Sequence, residues 1–199
     1  MELNELIFYF TNSLQTFRYA RDNYLAYKLL ETPRGHLFHN FYPQFDESFK
    51  FASQMSTLLV VLNILHKDSD YDKRKHHETI SFEWILKELN KISSEFDLVV
   101  TECNDLLNSI NDKTLSKADD FRNKYYAHFD KKLFGWKTDK NFLLDEQISF
   151  EEFDPIMAII ESVYNKLNFV LLNDVCHEFD DDYCEFKDII DLIAKQDVN

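Results

Sequence analysis

Arg122, Asn123 and His128 stand together in FRNKYYAHFD, residues 121–130, within a chain that is otherwise strongly acidic. Those side-chain types are enough for metal-free cleavage of RNA. A neutral imidazole can take the proton of a 2'-hydroxyl, its protonated form can return one to the leaving oxygen, and a guanidinium can hold the scissile phosphate through two parallel N–H bonds. No cofactor enters such a reaction, and none is expected. The Asn123 amide is the supporting group, able to orient the phosphate or one of the two partners. Lys117, Lys124 and Lys131 are the candidate phosphate contacts. The ring of Tyr126 is placed to stack on a base.

Charge is distributed in keeping with this. Residues 113–140 hold eight basic and four acidic side chains, a local +4, whereas the chain as a whole is -14 and everything outside the window is -18. Binding along a duplex needs an extended cationic footprint, which this chain lacks; one basic patch suits a short single strand.

The elements that must position these residues are helices. Two Gly and three Pro in 199 residues leave little material for hairpins, and apolar residues recur at helical spacing over long stretches. The first helix runs from Leu3 to about Glu31, followed by a loop from Thr32 through Pro43. A second opens near Asp46 and stops before the polar run at residues 66–78. Ser81 is the expected N-cap of a third, and a fourth runs from Glu95 to Ile110. The motif helix spans residues 114–133, with Gly135 as its stop. Asp154 and Pro155 read as N-cap and first helical position of a long apolar helix, and a short helix over residues 182–195 ends the sequence. The expectation is one all-α domain over residues 1–199, a bundle of six or seven helices.

On the motif helix, at about 100° per residue from Phe121, an apolar arc runs through Tyr125, Ala118, Phe129, Leu115 and Leu133 to about 120°. Arg122 falls at about 100°, inside that arc, and so requires a partner. Lys113, Lys117, Lys124 and Lys131 cluster at about 280–320°, with His128 at about 340°. Arg122 and His128 flank the arc about 120° and 9 Å of rise apart. If two copies pack through the arc about a two-fold axis, Arg122 of one approaches His128 of the other, a composite site in a homodimer.

Each residue also has a plainer reading. Arg122 can be a core Arg paired with a carboxylate of a neighbouring helix, His128 a boundary His, and the Lys strip a solvated face. A second Arg–His pair, Arg34 and His39, has four residues between them, but falls in the expected loop around Pro33 and Gly35. His76 and His77 near Asp68, Asp70 and Asp72 match no metal-ligand spacing, nor do Cys176, His177 and Cys184; no metal site is expected. Three unclustered Cys fit reduced thiols. Glu2 and Glu5 stand where a signal peptide would be basic, and no apolar run reads as long enough for a bilayer, so the expectation is a cytoplasmic protein without membrane contact.

Arg122, five intervening residues and His128 late in an all-helical chain resemble the HEPN superfamily, whose active members are metal-independent ribonucleases with an Arg, four to six residues, then His. The text RNKYYAHFD, and FKFASQMSTLLVVLNILHKDSD before it, looks most like the abortive-infection, AbiU-like branch, with the likeness covering residues 45–135. The resemblance implies a dimeric helical bundle with its motif at the subunit interface, a toxin or antiphage role, and an antitoxin or regulatory protein as partner. In the branch controlled by a nucleotidyltransferase, a Tyr stands two residues after the His; Asp130 stands there in this chain, which points away from that control. The competing expectation is a non-catalytic dimerisation or regulatory binding module of the same fold, using its acidic surface. A third is RNA binding without cleavage.

Overall fold

The computed structural model describes residues 1–66, 80–122 and 148–173, together with 187, 188, 190–192 and 195 near the C-terminus. Among these residues there are seven α-helices and no strand, in agreement with the all-α expectation. The helices are α1 (Leu3–Leu30), α2 (Pro33–Phe41), α3 (Pro43–Ile64), α4 (Phe82–Ile92), α5 (Asp97–Asn108), α6 (Asp112–Arg122) and α7 (Phe150–Leu172), with a short 3-10 turn, Ser94–Phe96, before α5. The chain divides into two compact units: Met1–Phe10 with Leu62–Cys176, and Thr11–Val61 with His177–Asn199.

The first unit is built on α4 to α7. Its core centres on Tyr164 of α7, fully buried, with the rings of Phe82 at 4.7 Å and Phe10 at 5.9 Å between centroids. Along α7 the buried positions Phe153, Ile156, Met157, Ile160, Val163, Tyr164, Leu167 and Leu171 recur every three or four residues, the stripe that turns a helix towards a core. Its 23 residues are long and apolar enough to span a bilayer, contrary to the expectation that no run was. That buried stripe makes it the core helix of this unit. The α4 helix starts where expected, its Ser81 hydroxyl accepting a hydrogen bond from the Trp84 amide at 3.3 Å.

The start of α7 corrects the sequence reading. The helix begins at Phe150, capped by Ser149 and Glu152 in a reciprocal capping box, and Pro155 lies inside it. Pro155 removes the bond to the Glu151 carbonyl, at an exposed residue, for up to about 3 kcal/mol. Against this, the cap contributes about 1 kcal/mol and burying Phe153 about 2 kcal/mol. The extra turn at least breaks even.

In the second unit α1 and α3 cross where the Thr57 hydroxyl lies 2.9 Å from the Ala20 carbonyl and 2.8 Å from that of Ser53. A small core joins Leu30 to Ile190, packed by Leu29 and Phe49. Residues 32–43, expected as a loop, are mostly helix. The Thr32 hydroxyl accepts from the Gly35 amide at 3.2 Å and Pro33 takes the first helical position, where its missing N–H costs nothing; Pro43 opens α3 in the same way. Gly35 is needed because α2 doubles back on α1: a Cβ there would lie 2.4 Å from the Leu30 Cα and carbonyl oxygen.

Candidate functional site

The α6 helix carries the start of the motif. Asn111 opens it, its side-chain oxygen accepting from the Lys113 amide at 3.0 Å. Thr114, Ala118 and Phe121 are its buried face and Leu115 is half-buried, so the arc deduced from spacing is the packed side. Within the chain Ala118 and Phe121 are covered by the protein's own core, while Leu115 stays half-exposed and Tyr125, Phe129 and Leu133 of the expected two-fold seam lie outside the described residues.

Arg122 is the last described residue of α6, its side chain 28% exposed. Its guanidinium Nη2 meets Asp119 Oδ1 at 2.5 Å, one turn back. A carboxylate of its own helix is thus one partner of the guanidinium. Asp119 was missed in the sequence, although the i, i+3 spacing of opposite charges was visible. The pair holds the guanidinium while leaving it within reach of solvent.

Lys117, expected to contact phosphate, donates from Nζ to Glu152 Oε2 at 2.9 Å. Glu152 also accepts from the Ser149 amide at 3.0 Å, and these bonds, that of Lys117 foremost, hold its carboxyl below the usual range. One carboxylate thus closes the α7 cap and ties α6 to α7. Lys113 is exposed. Asn123, Lys124, Tyr125, Tyr126, His128 and Lys131 lie outside the described residues, so the structure places Arg122 and Lys117 of the expected site residues and no others.

The Arg34 and His39 pair is helical after all, on α2. Each residue meets its own carboxylate. Arg34 Nη1 lies 2.8 Å from Asp191 Oδ1, and His39 Nδ1 lies 2.9 Å from Oδ2 of Asp46, a fully buried residue. Lys50 reaches both Asp46, at 3.1 Å, and Glu31, at 2.8 Å. Burial works against the charge of Lys50, but the hydrogen bonds to Glu31 and Asp46 outweigh it and raise its pKa. These contacts clamp the corner between α1, α2 and α3.

Of the three cysteines, Cys103 is described; burial pushes its thiol up to about 11, with Lys166 acting in the opposite direction. It is a core side chain. No group of three or more His, Cys, Asp or Glu among the described residues could hold a metal ion.

Among the described residues the chain is all-helical, and the Arg–His motif that resembles the HEPN class begins on α6. Residues 56–191 match the HEPN family model described as AbiU2, which is more than half of the chain. The chain belongs to the AbiU2 family. No curated protein and no solved structure matches it.

Proposed function

We propose that this protein is a metal-independent endoribonuclease of the HEPN type, cleaving RNA by attack of the 2'-hydroxyl on the adjacent phosphate. Arg122 holds the phosphate and the charge of the transition state, His128 moves the protons, and Asn123 supports them. Lys124, Lys131 and Tyr126 hold the flanking single strand, and Lys117 steadies α6 through Glu152. The observation that carries the reading is Arg122: it lies on α6 with its side chain partly exposed, held by a carboxylate that a phosphate can replace. Membership of the AbiU2 family supports the same reading and a setting of abortive infection or toxin–antitoxin function in the cytoplasm, with an antitoxin or regulatory protein as partner.

The two catalytic side chains meet across a homodimer in this reading. Since Ala118 and Phe121 are buried within one chain, the two-fold contact runs along the half-exposed edge of α6 that carries Asp119 and Arg122. The assay is incubation of the purified protein with mixed single-stranded RNA in excess chelator. Products with 2',3'-cyclic phosphate ends, absent with Arg122→Ala and with His128→Ala, are expected. Cleavage that vanishes with the chelator, or persists in both variants, contradicts the proposal.

The ion pair itself favours one second reading. Asp119 neutralises Arg122, as suits a non-catalytic module binding a partner protein through its acidic surface. A folded dimer that cleaves none of a panel of RNAs decides for that module.

A further inference from the structure

In the first unit α5 packs on α7 and leaves a groove of about 450 Å³ between the two helices. Its walls are apolar, Leu98 and Val99 on α5 with Phe169 and Val170 on α7. Leu98 is 72% exposed and Phe169 59%, although the neighbouring Val100, Cys103 and Leu167 are buried in the core. Single apolar side chains scattered over a surface need no explanation, but four that line one groove mark a contact surface. A groove between two packed helices suits a third helix, laid in by apolar residues at i, i+3, i+4 and i+7.

The charges beside the groove decide what that helix carries. Lys166 is the one base on either helix, and its ammonium is already paired with the Glu102 carboxylate inside the groove. The α5 helix has Asp97, Glu102 and Asp105 and no Lys or Arg, and α7 has four acids besides Lys166. Residues 174–186, where the chain continues from α7, contain no Lys or Arg either. Asp105 stands three positions beyond Glu102 and seven beyond Leu98, on the same stripe of α5, and Asp97 adjoins Leu98. Both are exposed, and among the described residues neither carboxylate meets a cation. A partner that covers Leu98 therefore comes down beside carboxylates that have no base of their own, and leaving them covered and unpaired is costly. A second copy brings the same carboxylates on the same face and no spare cation, so like charges would meet. RNA is disfavoured for the same reason.

We propose that this groove is the docking site for a basic amphipathic helix of another protein. Its apolar residues lie on Leu98, Val99, Phe169 and Val170, and its Lys or Arg side chains reach Asp97 and Asp105. The proposal stands whether or not the protein cleaves RNA, because it is read by binding alone.

Three synthetic helices of about 16 residues, somewhat longer than α5, separate charge from apolar contact: Leu with Lys, the same Leu with Glu, and Ser in place of Leu with the same Lys. Each is titrated into the full chain by fluorescence anisotropy near physiological salt. The Leu/Lys helix should bind about ten-fold or more tightly than either of the others. Leu98→Ser with Phe169→Ser should weaken it by about ten-fold, and Asp97→Asn with Asp105→Asn by about five-fold, an effect that shrinks as salt is added. Glu2→Gln with Glu5→Gln, which removes the same charge from exposed positions at the start of α1, should leave binding within about two-fold. Circular dichroism checks that each variant is folded, and light scattering follows its oligomeric state. The proposal is overturned if the Leu/Lys helix does not bind, if the Ser/Lys or Leu/Glu helix binds as well, or if the α1 variant loses as much as the α5 variant. It is equally overturned if Leu98→Ser with Phe169→Ser dissociates an oligomer of the protein, since the groove is then filled by a second copy.

Discussion

Replacing Asp119 by Asn separates a structural arginine from a catalytic one. The Arg122–Asp119 pair spans three residues of one helix, with side chains 28% and 47% exposed. In that setting an ion pair contributes about 0.3–0.5 kcal/mol, against 3–5 kcal/mol for breaking a buried one. Asp119→Asn should therefore lower the melting temperature by no more than about 2 °C. A phosphate entering the site must displace the carboxylate from the guanidinium, so its removal favours substrate by the same 0.3–0.5 kcal/mol, about a two-fold lower KM. Arg122→Ala should instead lower kcat/KM by about a hundred-fold or more, the usual effect of losing a donor to developing negative charge. The assay is initial-rate cleavage of a fluorogenic single-stranded RNA in chelator, with melting followed by circular dichroism. If Asp119→Asn is as inactive as Arg122→Ala, or costs more than about 3 kcal/mol of stability, the guanidinium is locked into the fold and the competition argument fails.

Three further outcomes follow from the packing. Glu152→Gln should weaken the α7 cap and the tie to α6 near neutral pH; since the folded carboxyl lies below its usual value, the lost stability is present above about pH 4.5 and disappears as the pH falls through the folded value, so wild type and variant should melt at converging temperatures towards pH 3. Gly35→Ala should cost at least about 1–3 kcal/mol, read as a lower denaturant midpoint at unchanged slope, because the new Cβ meets Leu30 backbone and not a movable side chain. Buried Cys103, its thiol near 11, should resist alkylation by iodoacetamide at pH 8 in the folded protein and react once unfolded, as followed by peptide mass mapping. Rapid labelling of Cys103 under native conditions would contradict its place in the core.

The parts of the fold legible in the sequence were those with sustained periodicity. Phe10, Phe17 and Tyr24 on α1, Leu58 on α3, and Ile160, Val163 and Leu167 on α7 all read as apolar positions of helices, and all are buried. Proline misled twice, in opposite directions. Thr32–Pro33 is an N-cap and first helical residue, yet a nearby Gly made it look like a loop; Asp154–Pro155 has the same signature, but the Ser149–Glu152 box and the burial of Phe153 extend the helix past it. Local signals of about 1 kcal/mol decide helix starts only where tertiary burial does not outweigh them. At the site, spacing put Ala118 and Phe121 on the packed face, where they are, and Arg122 inside the same arc, whereas its side chain is 28% exposed and paired with Asp119. The spacing did not show whether that face packs against the same chain or a second copy, because periodicity reports burial without naming the partner. Spacing within α6 could have found Asp119, whereas Glu152, the carboxylate of Lys117, stands 35 residues along the chain and no local pattern points to it.

Mixing two inactive variants tests the central claim most directly. If Arg122 of one protomer acts with His128 of the other, Arg122→Ala and His128→Ala proteins combined in equal amounts and allowed to exchange subunits form about half heterodimers, each with one intact site and one doubly altered site. Chelator-resistant RNA cleavage should then return to about a quarter of the wild-type rate. Subunit exchange shown by differently tagged chains, with no recovery of cleavage, would contradict a site shared between two protomers.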